Sequence, residues 1–174
     1  MDDFDELLHR LHSKVGFIGN FDVVRSDEHA RLQLYRFAGS HMDLSGYIDT
    51  VLADPDPGMG SAVLIEVIDS VAAQAGHTEF VAWSDAVLRR VQDREFVVRR
   101  VAEWRLFNRL EKGRVSHEEA LAATDWFQRK VVAESNNIDV LTLLADRGRT
   151  KKVRSSAANR LHRQPGRPAT PLGT

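Results

Sequence analysis

Proline sets the limits on what this chain can fold into. Its five prolines fall in two places, Pro55 and Pro57 in one turn and Pro165, Pro168 and Pro171 near the end, with none between. An interior proline costs a helix about 3 kcal/mol, so the long proline-free stretch leaves room for a succession of helices. Strands have no comparable encouragement. The sequence has no Asn-Gly or Asp-Gly hairpin pair, and strict apolar/polar alternation is almost absent. The expected fold class is all-α.

The first proline pair sits in Leu52-Ala53-Asp54-Pro55-Asp56-Pro57-Gly58. Ahead of it Leu44, Tyr47, Ile48, Val51 and Leu52 recur at helical spacing, and behind it Met59, Val63, Val67 and Val71 do the same. This predicts a two-helix hairpin. Elsewhere, Phe4, Leu7, Leu8 and Leu11 give a first short helix before Gly16, and Val15 to Val24 is a loop or a brief strand-like segment. Ser26 reads as the N-cap of a helix ending at Gly39, with Asp27 and Glu28 favoured by its dipole. A helix from Met59 closes at Gly76, and the chain restarts at Thr78 or Ser84. The segment from Arg94 to Lys112 is apolar on several sides, with Phe96 and Phe107 on a third face, and so is expected to be surrounded. Ser116 and Glu119 form a capping box that opens one helix through Val132, and Asn136 or Asn137 caps the next. Val153, Ala157 and Leu161 line the last helix.

Length and composition fit one soluble domain: 174 residues, 43% hydrophobic and 28% charged. Residues 1–162 are expected to form a single all-helical domain and residues 163–174 a disordered basic tail. No cysteine is present, no apolar run reaches the roughly 20 residues of a membrane span, and the start is acidic where a signal peptide would be basic. The expected location is cytoplasmic, with no membrane partner. The net charge of −1 hides an asymmetry, because eight bases and no acid lie from Arg147 onward.

Counting from the turn aspartate exposes a possible repeat. Met59, Gly60, Val63 and Val67 follow Asp54 at the same offsets as Val98, Arg99, Ala102 and Leu106 follow Asp93. Val153-Arg154-Ser155-Ser156-Ala157 repeats the core of that pattern, and Ala30-Arg31-x-x-Leu34 is a degenerate copy. The pattern resembles the second helix of HEAT-like and armadillo-like repeats. The resemblance implies an irregular stack of antiparallel helix pairs, a HEAT-like α-solenoid, with turn aspartates and arginines laddered between neighbouring copies. Gly60 departs from it where arginine is expected, and a compact helical bundle is the alternative architecture. The sequence Gly39-Ser40-His41-Met42 also spells a common vector scar, although helical patterning runs across it.

Chemistry-bearing constellations are sparse, and no catalytic, cofactor-binding or metal-ligating set is assigned. His9 and His12 lie a turn apart without a third ligand, His117-Glu118-Glu119 lacks the second histidine of a zincin helix, and Asp54/Asp56 fits a turn. Gly58-Met59-Gly60-Ser61 lacks the lysine of a phosphate loop. Trp83, Trp104 and Trp126 are expected in the core. The candidate partner or phosphate contacts are Arg99 and Arg100 on the central helix and Arg147, Arg149, Lys151, Lys152 and Arg154 at the basic end. Gly166-Arg167-Pro168 matches the centre of an AT-hook without the preceding arginine. The expected function is therefore a non-catalytic scaffold for another protein. A nucleic-acid binder or regulator using residues 147–167 is the alternative, and a DNA-repair glycosylase on HEAT-like repeats is a remoter one.

Overall fold

The computed structural model describes residues 3–39 and 44–163, and these form eleven helices and no strand. In chain order they are α1 (Asp3–Val15), α2 (Phe21–Ser26), α3 (Glu28–Gly39), α4 (Leu44–Leu52), α5 (Pro57–Gln74), α6 (His77–Leu88), α7 (Glu95–Leu110), α8 (His117–Ala122), α9 (Asp125–Glu134), α10 (Ile138–Arg147) and α11 (Lys151–Arg163). The all-α expectation holds. Two compact units divide the chain, Met1–Ala102 and Glu103–Thr174, with the boundary inside α7.

In the first unit α4 packs on α1, α3 and α5, and α5 also meets α3 and α6. Leu8, Leu34, Tyr35, Tyr47, Leu64, Ile68 and Phe80 are fully enclosed. The predicted hairpin is present, and its turn is held by one buried carboxylate. Arg31 donates to Asp54 at 3.1 Å, the Tyr35 hydroxyl donates to the same oxygen at 2.7 Å, and the Asp56 N–H donates to the other at 2.8 Å. Burial, reinforced by the Asp54 carboxylate, pushes the Tyr35 hydroxyl far above its ordinary value, so it remains a donor. Asp56 caps α5 through the Gly58 and Met59 N–H groups. Gly60 lets α5 approach α4, since a Cβ there would lie 2.6 Å from the Val51 carbonyl oxygen.

The second unit packs α11 against α10 and α9, with α10 also touching α8. Phe127, Val131, Leu141, Leu144 and Ala157 are wholly buried. Trp104 and Trp126 lie 5.9 Å apart, and the Lys130 ammonium stands 3.9 Å from the Trp104 ring centre while donating to Glu134 at 2.7 Å. This cation–π contact lets a lysine stem share the core.

Several helix boundaries differ from expectation, each for a local reason. Ser26 does not cap α3. It ends α2, returning its hydroxyl to the Asp22 carbonyl at 2.7 Å, while Asp27 accepts from the Ala30 N–H at 2.8 Å and takes the capping role. The stretch expected as a loop or strand contains α2, capped by Asn20. Gly76 stands at the N-cap of α6, which begins earlier than expected. The helix expected from 116 to 132 is two, because Thr124 caps a new start and its N–H bonds to buried Glu103 at 3.0 Å. The segment 94–112 is one-sided rather than surrounded. Val97, Val101, Trp104, Phe107 and Leu110 are buried in one stripe, whereas Phe96 is 71% exposed. The Ser116–Glu119 capping box and the Asn137 cap form as expected. Of Gly39-Ser40-His41-Met42, all but Gly39 lies outside the described residues, as does the expected tail beyond Arg163.

Replacing Asp54 by Ala strands Arg31 in an apolar setting, and we expect a loss of about 3–5 kcal/mol in urea unfolding. The double replacement Arg31→Met, Asp54→Leu should lose less. A single-variant loss below about 1 kcal/mol would show that the fold does not depend on the pair. The capping box gives a pH signature. The Ser116 N–H, then Arg109, hold Glu119 below the usual carboxylate range, so its stabilisation is complete above the unfolded-state value and falls away as pH drops through the lower folded-state one. Glu119→Gln should flatten that acid limb in melts taken across the carboxylate range.

Candidate functional site

The seven predicted contact residues separate into those already engaged and those left over. Arg99 pairs with Glu95 one turn away in α7 and lies 5.9 Å from the Phe96 ring centre. Arg100 pairs with Asp69 of α5 at 2.7 Å. Both are therefore neutralised within the first unit and do not form a basic groove. Arg154 turns its guanidinium back onto the Gly148 carbonyl at 2.7 Å, satisfying the end of α10. Arg147, Arg149, Lys151 and Lys152 remain. All four are exposed, and none has a carboxylate partner among the described residues.

These four cations ride on a turn whose backbone is fixed from several sides. Arg147 ends α10, and Gly148 caps it by donating its N–H to the Leu144 carbonyl at 3.0 Å. A Cβ on Gly148 would lie 2.5 Å from that carbonyl oxygen and 2.7 Å from Val153 Cγ1, so the position excludes any larger residue. The Arg149 N–H donates to Gln128 Oε1 at 2.8 Å. Thr150 Oγ1 accepts from the Val153 N–H at 3.2 Å and donates to Asp125 at 3.3 Å.

Gln128 is the part of this site that sequence reasoning missed. Its side chain is fully buried on α9, and its Nε2 donates to the Ala120 and Leu121 carbonyls at 3.1 Å each. One carboxamide thus closes the end of α8 and anchors the basic turn. The available signal was a lone glutamine among Trp126, Phe127, Val131 and Val132. An amide at a core-facing position implies backbone partners.

Electrostatically the turn is predominantly basic, with Asp146 beside Arg147 and Asp125 against Thr150 as its acids. Neither the last turn of α10 after Asp146 nor the first turn of α11 contributes an acid, and Lys151 and Lys152 stand at the positive end of the α11 dipole. Cations there are unfavourable to the isolated fold, whereas an incoming anion is favoured by both the side chains and the helix dipole. The charge asymmetry follows the two units: residues 1–102 hold seven more acids than bases, and residues 103–174 hold six more bases than acids.

The remaining sequence candidates are structural. His9 and His12 pack edge-on against Phe21, and His12 Nε2 lies 2.9 Å from the Gly19 carbonyl. Among the described residues, no group of three or more His, Cys, Asp and Glu is placed to hold a metal ion. No described helix is long and apolar enough to cross a membrane. Gly166-Arg167-Pro168 lies outside the described residues.

No family model matches the chain, and no match is found among curated proteins or among solved structures.

Replacing Gln128 by Leu keeps the volume and removes the amide, leaving three backbone groups unpaired. We expect a loss of about 1–3 kcal/mol in urea unfolding; a neutral result would mean that water or a repacked turn satisfies them.

Proposed function

We propose that this chain is a non-catalytic helical-repeat scaffold that holds a polyanionic partner at the turn between α10 and α11. The observation that carries the proposal is the set of four exposed cations, Arg147, Arg149, Lys151 and Lys152, on a hydrogen-bonded turn, none of which has a carboxylate partner among the described residues. Other arginines of the chain show the contrast. Arg99, Arg100, Arg109 and Arg129 each pair with a carboxylate. Cations that find no carboxylate partner within the fold, two of them (Lys151 and Lys152) at the helix end that disfavours them, suit an external anion.

The repeat reading draws on a shared geometry. Arg31 and Arg154, at matching places in their copies of the pattern, each return a guanidinium to the carbonyl six residues upstream, at 3.0 Å and 2.7 Å. Arg31 also pairs with the turn aspartate Asp54, the kind of rung the resemblance to HEAT-like repeats implies. At Asp93, where the preceding copy carries Gly60 in place of arginine, the carboxylate is 81% exposed.

A second reading, a protein partner on the first unit, draws on apolar side chains in and beside the α1–α2 connection. Ile18 is fully exposed and Val23 half exposed.

The first reading is tested by retention on a heparin matrix. A variant with Arg147, Arg149, Lys151 and Lys152 all changed to Ala should bind at least about tenfold more weakly, with unchanged helical content. Arg99→Ala should leave retention unaltered. Equal retention of the parent and the fourfold variant would remove the turn as the binding element.

A further inference from the structure

We propose that the exposed face of α11 reads base edges in the major groove of duplex DNA, with the basic turn gripping the phosphates on either side. This rests on the anion-binding reading of the turn and names its partner.

The argument starts from the two faces of α11. Val153 and Ala157 are buried toward α10 and α9, with Leu161 beside them. The opposite arc holds Lys152, Ser155, Ser156, Asn159, His162 and Arg163, all exposed. It contains no acid and no large apolar side chain. An acidic protein surface would be met best by paired charges and an apolar centre, and this face offers neither. It offers instead short hydroxyl and amide groups between cationic ends, the side chains that contact phosphate oxygens and base edges.

A second observation is independent of charge. Helix-interior hydroxyls usually fold back onto their own helix, and Ser61, Ser84 and Thr142 do so here. Ser155, Ser156 and Asn159 make no side-chain hydrogen bond among the described residues. Their donors and acceptors are unspent and face outward. The carboxamide of Asn159 can address N6 and N7 of adenine together, and the serines can address any base.

The local architecture suits the task. α10 and α11 are joined by the three residues Gly148, Arg149 and Thr150, the short glycine-containing connection of a helix-turn-helix, and α9 packs against both. In such units the second helix enters the major groove N-terminus first, which would place Ser155 and Ser156 foremost at the bases and Lys152 at the flanking phosphates. At 13 residues α11 is about 20 Å long, enough to cross the groove. B-form DNA is the partner because the A-form major groove of double-stranded RNA is too narrow for a helix.

The full chain is tested by selection from a random 20-base-pair duplex pool, followed by titration of the selected duplex, a scrambled one, a double-stranded RNA and poly-glutamate. A shared motif should emerge. Asn159→Ala and the pair Ser155→Ala, Ser156→Ala should each weaken the selected duplex roughly 5- to 150-fold and leave the scrambled one unchanged. Lys151→Ala with Lys152→Ala should weaken both duplexes alike. With four phosphate contacts the affinity should fall about 100-fold between 50 and 200 mM salt. No enrichment, equal effects of Asn159→Ala on both duplexes, or RNA or poly-glutamate bound as tightly as DNA would each overturn the inference. Because heparin retention is read separately, those outcomes leave the anion-binding turn standing, whereas equal heparin retention of the fourfold variant removes both.

Discussion

The return of a side chain to the backbone at a helix end is the interaction on which this fold depends. The eleven helices of the described residues, most of them short, create many ends, and each end leaves N–H or C=O groups without an intrahelical partner. At N-termini the partners are local: Asn20, Asp27, Asp56, Ser116, Thr124 and Asn137 each accept from the turn they precede. At C-termini they come from elsewhere. Arg31 reaches the end of α2, Gln128 the end of α8, Arg160 the end of α9 and Arg154 the end of α10. Long polar side chains therefore do the work of fixing one helix against another, alongside the apolar core.

This division explains what was legible in the sequence. The hairpin at Asp54, the Ser116–Glu119 box and the Asn137 cap could be read because each is a local pattern written within a few residues. The Ser26/Asp27 boundary was misplaced because two good capping residues stand side by side and only the geometry of α2 selects between them. Thr124 was overlooked because the apolar positions on either side continue almost in phase. Arg154 read as a ligand contact for a different reason. Its partner is a backbone carbonyl, which leaves no trace in side-chain identity. Arg100 pairs with Asp69, which no local pattern announces, whereas Glu95 stands one turn from Arg99 and that pair could be read. The run of cations from 147 to 152 is legible because no acid interrupts it.

The electrostatic character of the chain follows the same partition. In the first unit the acid excess is tempered by placement, with Asp54 buried against Arg31 and Asp69 set against Arg100. In the second, Arg109, Arg129 and Lys130 pair with carboxylates and Arg154 and Arg160 with carbonyls. Arg147, Arg149, Lys151 and Lys152 stand exposed within one short stretch, and Lys112, Arg114 and Arg163 stand exposed apart from it. A cluster of like charge differs from scattered surface charge, because its field adds over a short distance.

Gln128 has a consequence for how the molecule opens. Its one carboxamide serves the carbonyls of Ala120 and Leu121 and the N–H of Arg149, so these segments share a partner that leaves all of them at once. The end of α8 and the connection carrying the cations thereby belong to a single cooperative unit of local unfolding, although they are far apart in sequence. Exchange protection at the close of α8 then reports on the integrity of a turn more than roughly twenty residues farther along the chain.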